Sequence, residues 1–337
     1  MILIRADANE QIGVGHVMRC LSVADAFRAD GQDVLFVTAD HKADPLIRGK
    51  GFEAVCLDSE WKLIGTENPG VLIDKYRPGV LIVDSYYVTE SFFDGVSDDV
   101  HTVYIDDLNE KLFKVDLLIN YNIFSSEMDY SRYTQQGTRL LLGPGYAPLR
   151  KEFRNMEPHA VRDVAHDVLI SAGGSDPLGI TEMLTAKICP VWPDIRFHLV
   201  IGALNPRLDA IRKMAGANAV LHIHEQDMAG LMKQCDLAIS AAGSTLYELC
   251  AVGVPTITYT LADNQLPAAE QFQRQGIMLN AGDCRENMAF VETVRSCLAE
   301  LLQHRLKRQE MSTLMHNLVD GQGAARIVEW ITGSRFA

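Results

Sequence analysis

Short apolar runs alternate with longer amphipathic stretches along the chain, and this alternation limits the possible fold more than any other feature. The runs are nearly continuous in Val, Ile and Leu, which is typical of parallel strands covered by helices on both faces. We therefore predict an α/β protein with two doubly wound, mainly parallel sheets. The predicted strands are residues 1–6, 33–38, 54–57, 80–83, 102–105, 117–120, 139–142, 167–171, 196–201, 219–224, 237–240, 256–259 and 277–280.

A polar segment at residues 154–166 separates two complete rounds of this pattern, as linkers between domains do. We place the domains at residues 1–155 and 156–337. A long helical stretch is predicted from about residue 286 to residue 318, and a last helix near 324–331 is expected to pack back on the first domain. Ligands bind at the carboxyl ends of strands in such sheets, so we expect both domains to present these ends to a shared cleft.

Composition excludes several classes of protein. The 337 residues carry a formal net charge of −13, which argues against general binding to nucleic acid. No apolar run is long enough to cross a membrane, and the N-terminus resembles a strand rather than a signal peptide. We expect a cytoplasmic protein without stable membrane association. The seven cysteines include no C-x-x-C pair, so neither a zinc knuckle nor a disulfide framework is indicated.

The loop after the first strand is the strongest candidate for catalysis. Gly13 and Gly15 allow a tight turn and close approach to a ligand, and a helix begins near His16. The helix macrodipole favours a neutral imidazole at that position, and a neutral imidazole can take a proton from water. The alternative is a histidine that only hydrogen-bonds the loop. Arg19 lies one turn further on and contacts either substrate or a carboxylate such as Asp7.

A nicotinamide-dinucleotide site is the competing interpretation of this loop. Asp40 stands at the end of the second predicted strand, where a ribose-binding acid would lie. The fingerprint also needs a third glycine, but Met18 occupies that position.

Two glycine-rich loops in the second half are candidate nucleotide sites. Gly173, Gly174 and Ser175 follow a strand and precede a predicted helix with Pro177 in its first turn, which suits a phosphate cradle. The second loop has the same context, and its candidate residues are Gly243, Ser244, Thr245 and Glu248.

The second loop has two interpretations. Ser244 or Thr245 either caps the following helix or binds phosphate, in which case Glu248 accepts hydrogen bonds from the ribose hydroxyls. Further along, Asn264 and Gln265 follow another strand and have amides suited to sugar hydroxyls, whereas Asp263 beside them has the alternative role of a turn cap.

These motifs together resemble the GT-B nucleotide-sugar enzymes, and the second-half motifs are similar to the donor site of MurG-like glycosyltransferases. The first-half motifs resemble the pseudaminic acid pathway hydrolases, PseG, which cleave UDP-2,4-diacetamido-2,4,6-trideoxy-β-L-altropyranose to the free sugar and UDP. The segments that carry this resemblance are Asp7, residues 11–16, Arg19, residues 83–86, 105–107 and 145–153.

The resemblance implies inverting hydrolysis at the anomeric carbon, with His16 activating water and UDP leaving into the second domain. It implies UDP-sugar as substrate, UDP as product, and neither a cofactor nor a metal. Tyr86 and Arg150 would hold the sugar, while Ile223 to Met228 would frame the uracil. The alternatives are an aromatic filler of the core for Tyr86 and an ion pair with Glu152 or Asp84 for Arg150. A metal site at His222 and His224 is a minor alternative.

Three other functions remain open from the sequence. The first is a GT-B glycosyltransferase that uses a UDP-sugar donor. The second is a UDP-sugar binding module without turnover, and the third is a hydrolysing 2-epimerase, for which a larger set of carboxylates is expected.

Overall fold

The computed structural model describes residues 1–9, 11–202 and 205–333, which divide into two compact units. The first unit comprises Met1–Lys151 and the segment that begins at Gln322, and the second comprises Glu152–Gly321. The first unit thus ends slightly before residue 155, and the chain returns to it after completing the second.

The first unit is built on a seven-stranded parallel sheet in the order β3-β2-β1-β4-β5-β6-β7. Its strands are β1 (Ile2–Ala6), β2 (Val34–Thr38), β3 (Glu53–Cys56), β4 (Val80–Asp84), β5 (His101–Ile105), β6 (Leu117–Asn120) and β7 (Arg139–Leu142). The helices before the second unit are α1 (Gly15–Ala29), α2 (Asp44–Gly49), α3 (Pro69–Tyr76), α4 (Glu90–Asp94) and α5 (Ser131–Gln135).

The second unit has a six-stranded parallel sheet in the order β10-β9-β8-β11-β12-β13. Its strands are β8 (Asp167–Ser171), β9 (Arg196–Ile201), β10 (Ala219–Ile223), β11 (Leu237–Ala241), β12 (Thr256–Thr260) and β13 (Leu279–Asp283). Its helices are α6 (Ile180–Lys187), α7 (Leu208–Met214), α8 (Met228–Gln234), α9 (Thr245–Val252), α10 (Leu266–Arg274), α11 (Phe290–Gln303) and α12 (Arg305–Leu318), and α13 (Gly323–Gly333) follows in the first unit.

The predicted α/β class with two doubly wound parallel sheets is confirmed, and so are the predicted strands, the last of which is shifted towards Leu279–Asp283. In each sheet the strand order reverses beside the first strand, between β1 and β4 in one unit and between β8 and β11 in the other. Loops leave in opposite directions at such a point and open a crevice at the carboxyl ends of the strands. These two points position the candidate sites.

The long helical stretch predicted to reach residue 318 consists of two helices, α11 and α12, joined at His304 with φ −111° and ψ 83°. Arg308 gives the physical reason for the break. Its guanidinium is almost fully buried and donates hydrogen bonds to the carbonyl oxygens of Leu301 at 2.7 Å and Leu302 at 3.2 Å. The Arg308 side chain thus supplies hydrogen bonds that backbone N–H groups would donate to these carbonyls in a continuous helix.

Helix α13 completes the core of the first unit. Its apolar face packs in the same cluster as α1 and β1, whereas the second unit has a separate core. The residues of α13 in this cluster are Ala324, Ile327, Val328 and Ile331. None of the helices in the described ranges has the length and apolarity that a membrane crossing requires.

Candidate active site

His16 and Asp84 meet where the strand order of the first sheet reverses. β1 and β4 are neighbours, and Ala6 at the end of β1 is paired with Asp84 at the end of β4. The chain leaves β1 through the glycine loop and enters α1, so His16 in the first turn of α1 lies over the end of β4. As a result, Nδ1 of His16 lies 2.6 Å from Oδ1 of Asp84.

The loop before His16 is closed by a small antiparallel bridge between Asn9 and Gly13. The side-chain oxygen of Asn9 accepts hydrogen bonds from the backbone N–H groups of Gln11 at 2.9 Å and Ile12 at 3.0 Å. Gly13 has φ +71°, a left-handed conformation that glycine adopts at little cost. Gly13 is therefore the position in this turn where the backbone conformation favours glycine, as predicted.

Arg19 holds the carboxylate of Asp84 in its charged form. Its Nε and Nη2 each donate a hydrogen bond of 2.6 Å to the two oxygens of Asp84. Burial alone would raise the pKa of Asp84, but the charge of Arg19 and the contact with His16 lower it below its ordinary value. Asp84 is thus an anion buried beside the imidazole.

Arg19 also binds a second carboxylate, at the end of the next strand. It donates to the oxygens of Asp107 at 2.9 and 2.8 Å and to the hydroxyl of Tyr121 at 3.0 Å. The sequence left Arg19 with either a substrate or a carboxylate contact, and the structure shows the carboxylate contact. Its partners are Asp84 and Asp107 instead of Asp7, which pairs with Arg5 at 2.7 Å.

Tyr86 lies against the imidazole and is only half-buried. Its hydroxyl donates to Asp107 at 2.7 Å, and its ring meets His16 edge to face with centroids 4.6 Å apart. Together they border a small recess in the first unit, called the His16 recess below. The residues that line it are Asp7, Ile12, His16, Trp61, Asp84, Ser85, Tyr86 and Tyr87.

This geometry favours one tautomer of the neutral His16 ring. Nδ1 lies near both Asp84 and the Nη2 of Arg19, which is 3.2 Å away. Arg19 can only donate and the Asp84 carboxylate can only accept, so a proton on Nδ1 satisfies the shorter contact. The lone pair is then on Nε2, which is the arrangement of a general base backed by a carboxylate.

In the second unit, both glycine-rich loops lie at the point where the strand order reverses. β8 and β11 are neighbours, with Ser171 paired to Ser240, so the loops that follow them leave the same edge of the sheet. Gly173 and Gly174 form a turn after β8, with Gly173 at φ +80°. A Cβ on Gly202 would lie 2.3 Å from the carbonyl oxygen of Gly174, so the loop after β9 also packs closely here. The sheet thus brings the predicted nucleotide residues of both loops together.

Asp176 changes the predicted role of the first of these loops. Its buried carboxylate accepts hydrogen bonds from the backbone N–H groups of Ile180 at 2.8 Å and Thr181 at 2.9 Å. Helix α6 therefore begins at Ile180, later than predicted, and Pro177 lies in the turn before it. Because Asp176 occupies the first N–H groups of α6, any phosphate contact here falls to the Gly173–Ser175 turn itself.

The second loop shows the opposite arrangement. Ser244 stands at the N-cap position of α9 and makes no capping hydrogen bond through its side chain, and Thr245 is the first residue of the helix, so the predicted alternative that Ser244 caps this helix is wrong. Ser244 is exposed, and Gly243 and Glu248 are half-buried beside it in the loop and first turn. Of the N-termini of α6 and α9, the N-terminus of α9 is therefore the one suited to binding an anion.

The segment from Ile223 to Met228 connects β10 to α8, and Met228 is buried at the start of that helix. His222 beside it is hydrogen-bonded to His198 at 3.0 Å and to Glu225 at 3.3 Å. His224 is exposed with φ +53°. Within the described residues the structure does not group these two histidines as a metal site.

Four more residues named from the sequence lie outside the α-helices and strands. Gln265 ends a short 3-10 helix, where its side-chain oxygen accepts a hydrogen bond from the backbone of Leu261 at 2.9 Å. Asn264 is exposed in the same helix, and Asp263 pairs with Arg285 at 2.6 Å. Arg150 is half-buried near the end of the first unit.

Sequence reasoning assigned no catalytic or binding role to Asp84, Asp107, Trp61 or Asp176, and named Asp84 only as an alternative ion-pair partner of Arg150. Asp84 is the last residue of β4 and Asp107 follows the neighbouring strand β5, and acidic residues at neighbouring strand ends are a recognisable signal once the strand order is known. Trp61 and Asp176 lie in connecting segments and carry no comparable pattern.

Comparison with known proteins agrees with this architecture. Residues 202–327 match the family described as "Glycosyltransferase family 28 C-terminal domain". The crystal structure of MurG from Acinetobacter baumannii superposes with a TM-score of 0.70 at 14% identity, covering 98% of this chain and 99% of that one. The fold is GT-B.

Two curated relatives match most of the chain. The spore coat polysaccharide biosynthesis protein SpsG of Bacillus subtilis is 26% identical over 341 residues, covering 96% of this chain and 95% of the relative. The UDP-2,4-diacetamido-2,4,6-trideoxy-β-L-altropyranose hydrolase of Campylobacter jejuni is 26% identical over 282 residues, covering 82% and 97%. The partial family match and the GT-B fold are thus shared with proteins that include glycosyltransferases and a nucleotide-sugar hydrolase.

Proposed function

We propose that this chain hydrolyses a UDP-linked diacetamido-trideoxy sugar at its anomeric carbon and releases UDP and the free sugar. The observation that carries the proposal is the buried pair of His16 and Asp84 at the strand-order reversal of the first sheet. A histidine that lines a recess and has one nitrogen held by a carboxylate is equipped to activate water.

In the proposed reaction, Nε2 of His16 takes a proton from water as the water oxygen attacks the anomeric carbon. The bond from that carbon to the diphosphate oxygen breaks with inversion, and its electron pair leaves with UDP. Asp84 stabilises the imidazolium that forms, without itself becoming protonated. Arg19 acts as a positioning residue, because its donors are already bound to Asp84 and Asp107.

UDP is assigned to the second unit. We assign the diphosphate to the Gly173–Ser175 turn and the N-terminus of α9, where backbone N–H groups and hydroxyls would bind it. We assign Gly243, Ser244 and Thr245 to phosphate, Glu248 to the ribose, and the segment from Ile223 to Met228 to the base.

The sugar is assigned from similarity to the Campylobacter jejuni hydrolase, whose name specifies a diacetamido-trideoxy sugar. Tyr86 borders the His16 recess and is assigned to the sugar, together with Arg150, Asn264 and Gln265. The free sugar would serve the biosynthesis of a nonulosonic acid such as pseudaminic acid.

Turnover in ¹⁸O-labelled water, without any acceptor, tests the reaction. The proposal expects the label on the free sugar, because water attacks carbon. Label on UDP means attack at phosphorus and contradicts the mechanism. His16→Ala is expected to lose turnover while UDP still binds, whereas a binding module would show no turnover in either form.

A glycosyltransferase is the second candidate, favoured by the match of residues 202–327 to the family 28 domain and by the MurG-like fold. It predicts UDP release only when an acceptor is present. Assaying UDP release with and without a panel of sugar and lipid acceptors distinguishes the two enzymes.

A further inference from the structure

Three side chains able to bind a metal come together outside the His16 recess. β2 and β3 are paired, with Thr38 opposite Cys56, so the chain after each strand leaves the same edge of the sheet. His41 follows β2 in a short 3-10 helix, Cys56 ends β3, and Asp58 lies two residues further on. One ligand atom from each of these three lies within 4.8 Å of the other two.

The spacing of these atoms is close to that around a tetrahedral zinc ion. Nε2 of His41 lies 3.8 Å from Oδ1 of Asp58, and Sγ of Cys56 lies 3.5 Å from the same oxygen. Zinc bonds of about 2.0–2.3 Å in a tetrahedron place neighbouring ligand atoms about 3.3–3.6 Å apart. Two of the three separations thus need only small adjustments, and the third, between His41 and Cys56, is within 4.8 Å and closes by a rotation of the exposed His41 side chain.

Two hydrogen bonds, one from a residue outside the cluster and one within it, also orient the ligand atoms. Nδ1 of His41 is hydrogen-bonded to Oδ2 of Asp44 at 2.9 Å, which leaves Nε2 to face Asp58. A carboxylate on the second nitrogen is the usual support of a zinc-binding histidine. Asp58 has φ +51°, and its backbone N–H donates to Sγ of Cys56 at 3.4 Å, which fixes the thiol and the carboxylate relative to each other.

We propose that His41, Cys56 and Asp58 bind one Zn²⁺ ion, with water as the fourth ligand. One nitrogen, one sulfur and one carboxylate oxygen suit zinc, whereas Mg²⁺ and Ca²⁺ prefer oxygen ligands alone. The bound ion would fasten the loop after β2 to the end of β3. The site shares no residue with the His16–Asp84 pair, so it is independent of the proposed hydrolysis.

Competition with a chromogenic zinc chelator tests the site on the full, metal-free chain. The expected result is one Zn²⁺ per chain in the wild type and at least a 10-fold loss of affinity in Cys56→Ser and in His41→Ala. Asp44→Asn is expected to weaken binding by about 10–100-fold, since it removes only the supporting carboxylate. Cys297→Ser is the matched control, because Cys297 is another half-buried free thiol.

Cobalt substitution gives a readout that does not depend on stability. Co²⁺ bound by a thiolate shows a sulfur-to-metal absorption band, which is expected in the wild type and in Cys297→Ser but not in Cys56→Ser. The proposal is overturned if the wild type binds no zinc in competition with the chelator. It is equally overturned if stoichiometric binding and the cobalt band survive Cys56→Ser.

Discussion

Nδ1 of His16 lies 2.6 Å from Oδ1 of Asp84, and the same carboxylate receives two hydrogen bonds from Arg19. One aspartate therefore orients the imidazole, while its own charge is held by the arginine one turn along the helix. The orientation of the candidate base depends on α1 and β4 together, and the glycine loop alone does not determine it.

The first prediction concerns the tautomer of His16. Asp84→Asn should lower kcat for UDP-sugar hydrolysis by about 10²–10⁴-fold, because an amide N–H turned towards Nδ1 leaves the proton on Nε2. KM should change little, since Asp84 contacts the imidazole and not the sugar in the proposed reaction. Steady-state kinetics measures both values, and an unchanged kcat would show that His16 does not act through Asp84.

The second prediction concerns Arg19. Arg19→Met should lower the free energy of unfolding by about 3–5 kcal/mol, because Asp84 and Asp107 would remain buried without their cation. Arg212→Met is the control, since Arg212 is exposed and lies 3.5 Å from Asp209 on the surface. Its effect should stay within about 0.5 kcal/mol. Denaturant unfolding followed by tryptophan fluorescence measures both, and equal losses would contradict the role given to Arg19.

The third prediction concerns stability in acid. Burial alone would raise the pKa of Asp84 and of Asp107, but Arg19 holds both pKa values below the ordinary value of about 3.9. A depressed pKa adds stability above that ordinary value, and this stability is lost as the pH falls through the folded-state value. The melting temperature should therefore fall as the pH decreases below about 4.

Replacing one of these carboxyls tests the same dependence. Asp107→Asn should give a shallower decline of melting temperature with acid than the wild type, because one depressed group is gone. Asp99→Asn, at an exposed position, is the charge-matched control. Identical slopes in Asp107→Asn and Asp99→Asn would contradict the prediction.

The fourth prediction separates helix stability from nucleotide binding at the start of α9. Ser244→Asp adds a carboxylate at the N-terminus of α9, where the helix macrodipole favours a negative charge, and should stabilise the protein by about 0.3–1 kcal/mol. The same carboxylate would repel the diphosphate, so UDP affinity should fall at least 10-fold. Calorimetry of unfolding and of UDP binding measures both, and tighter UDP binding would exclude phosphate from this loop.

The strands were predictable because buried parallel strands are continuous apolar runs that local sequence reveals. The partner of His16 was not predictable in the same way, since it depends on which strand lies beside β1. Asp84 is 68 positions away and becomes a neighbour only through the strand order. For the same reason, sequence alone suggested Asp7 as a partner of Arg19, whereas the sheet places Asp84 and Asp107 there.

The errors at helix ends have a similar origin. No glycine or proline marks the break at His304, so the helical periodicity continues across it, and the burial of Arg308 decides where α11 ends. Pro177 suggested an early start for α6, but the Asp176 carboxylate binds the backbone of Ile180 and delays it. In both cases a single side chain overrides the local pattern.

The return of α13 to the first unit affects the order in which the parts of the protein can fold. The core around Val17 and Leu21 of α1 includes Ile327 and Ile331, which are translated only after the whole second unit. Domains usually fold in turn as they leave the ribosome. We therefore expect the first unit to emerge with the apolar surface that α13 covers still exposed, until residues 152–321 have been made. Helix α13 covers this surface once it has been synthesised. Until then, chaperones that shield apolar surface would bind there.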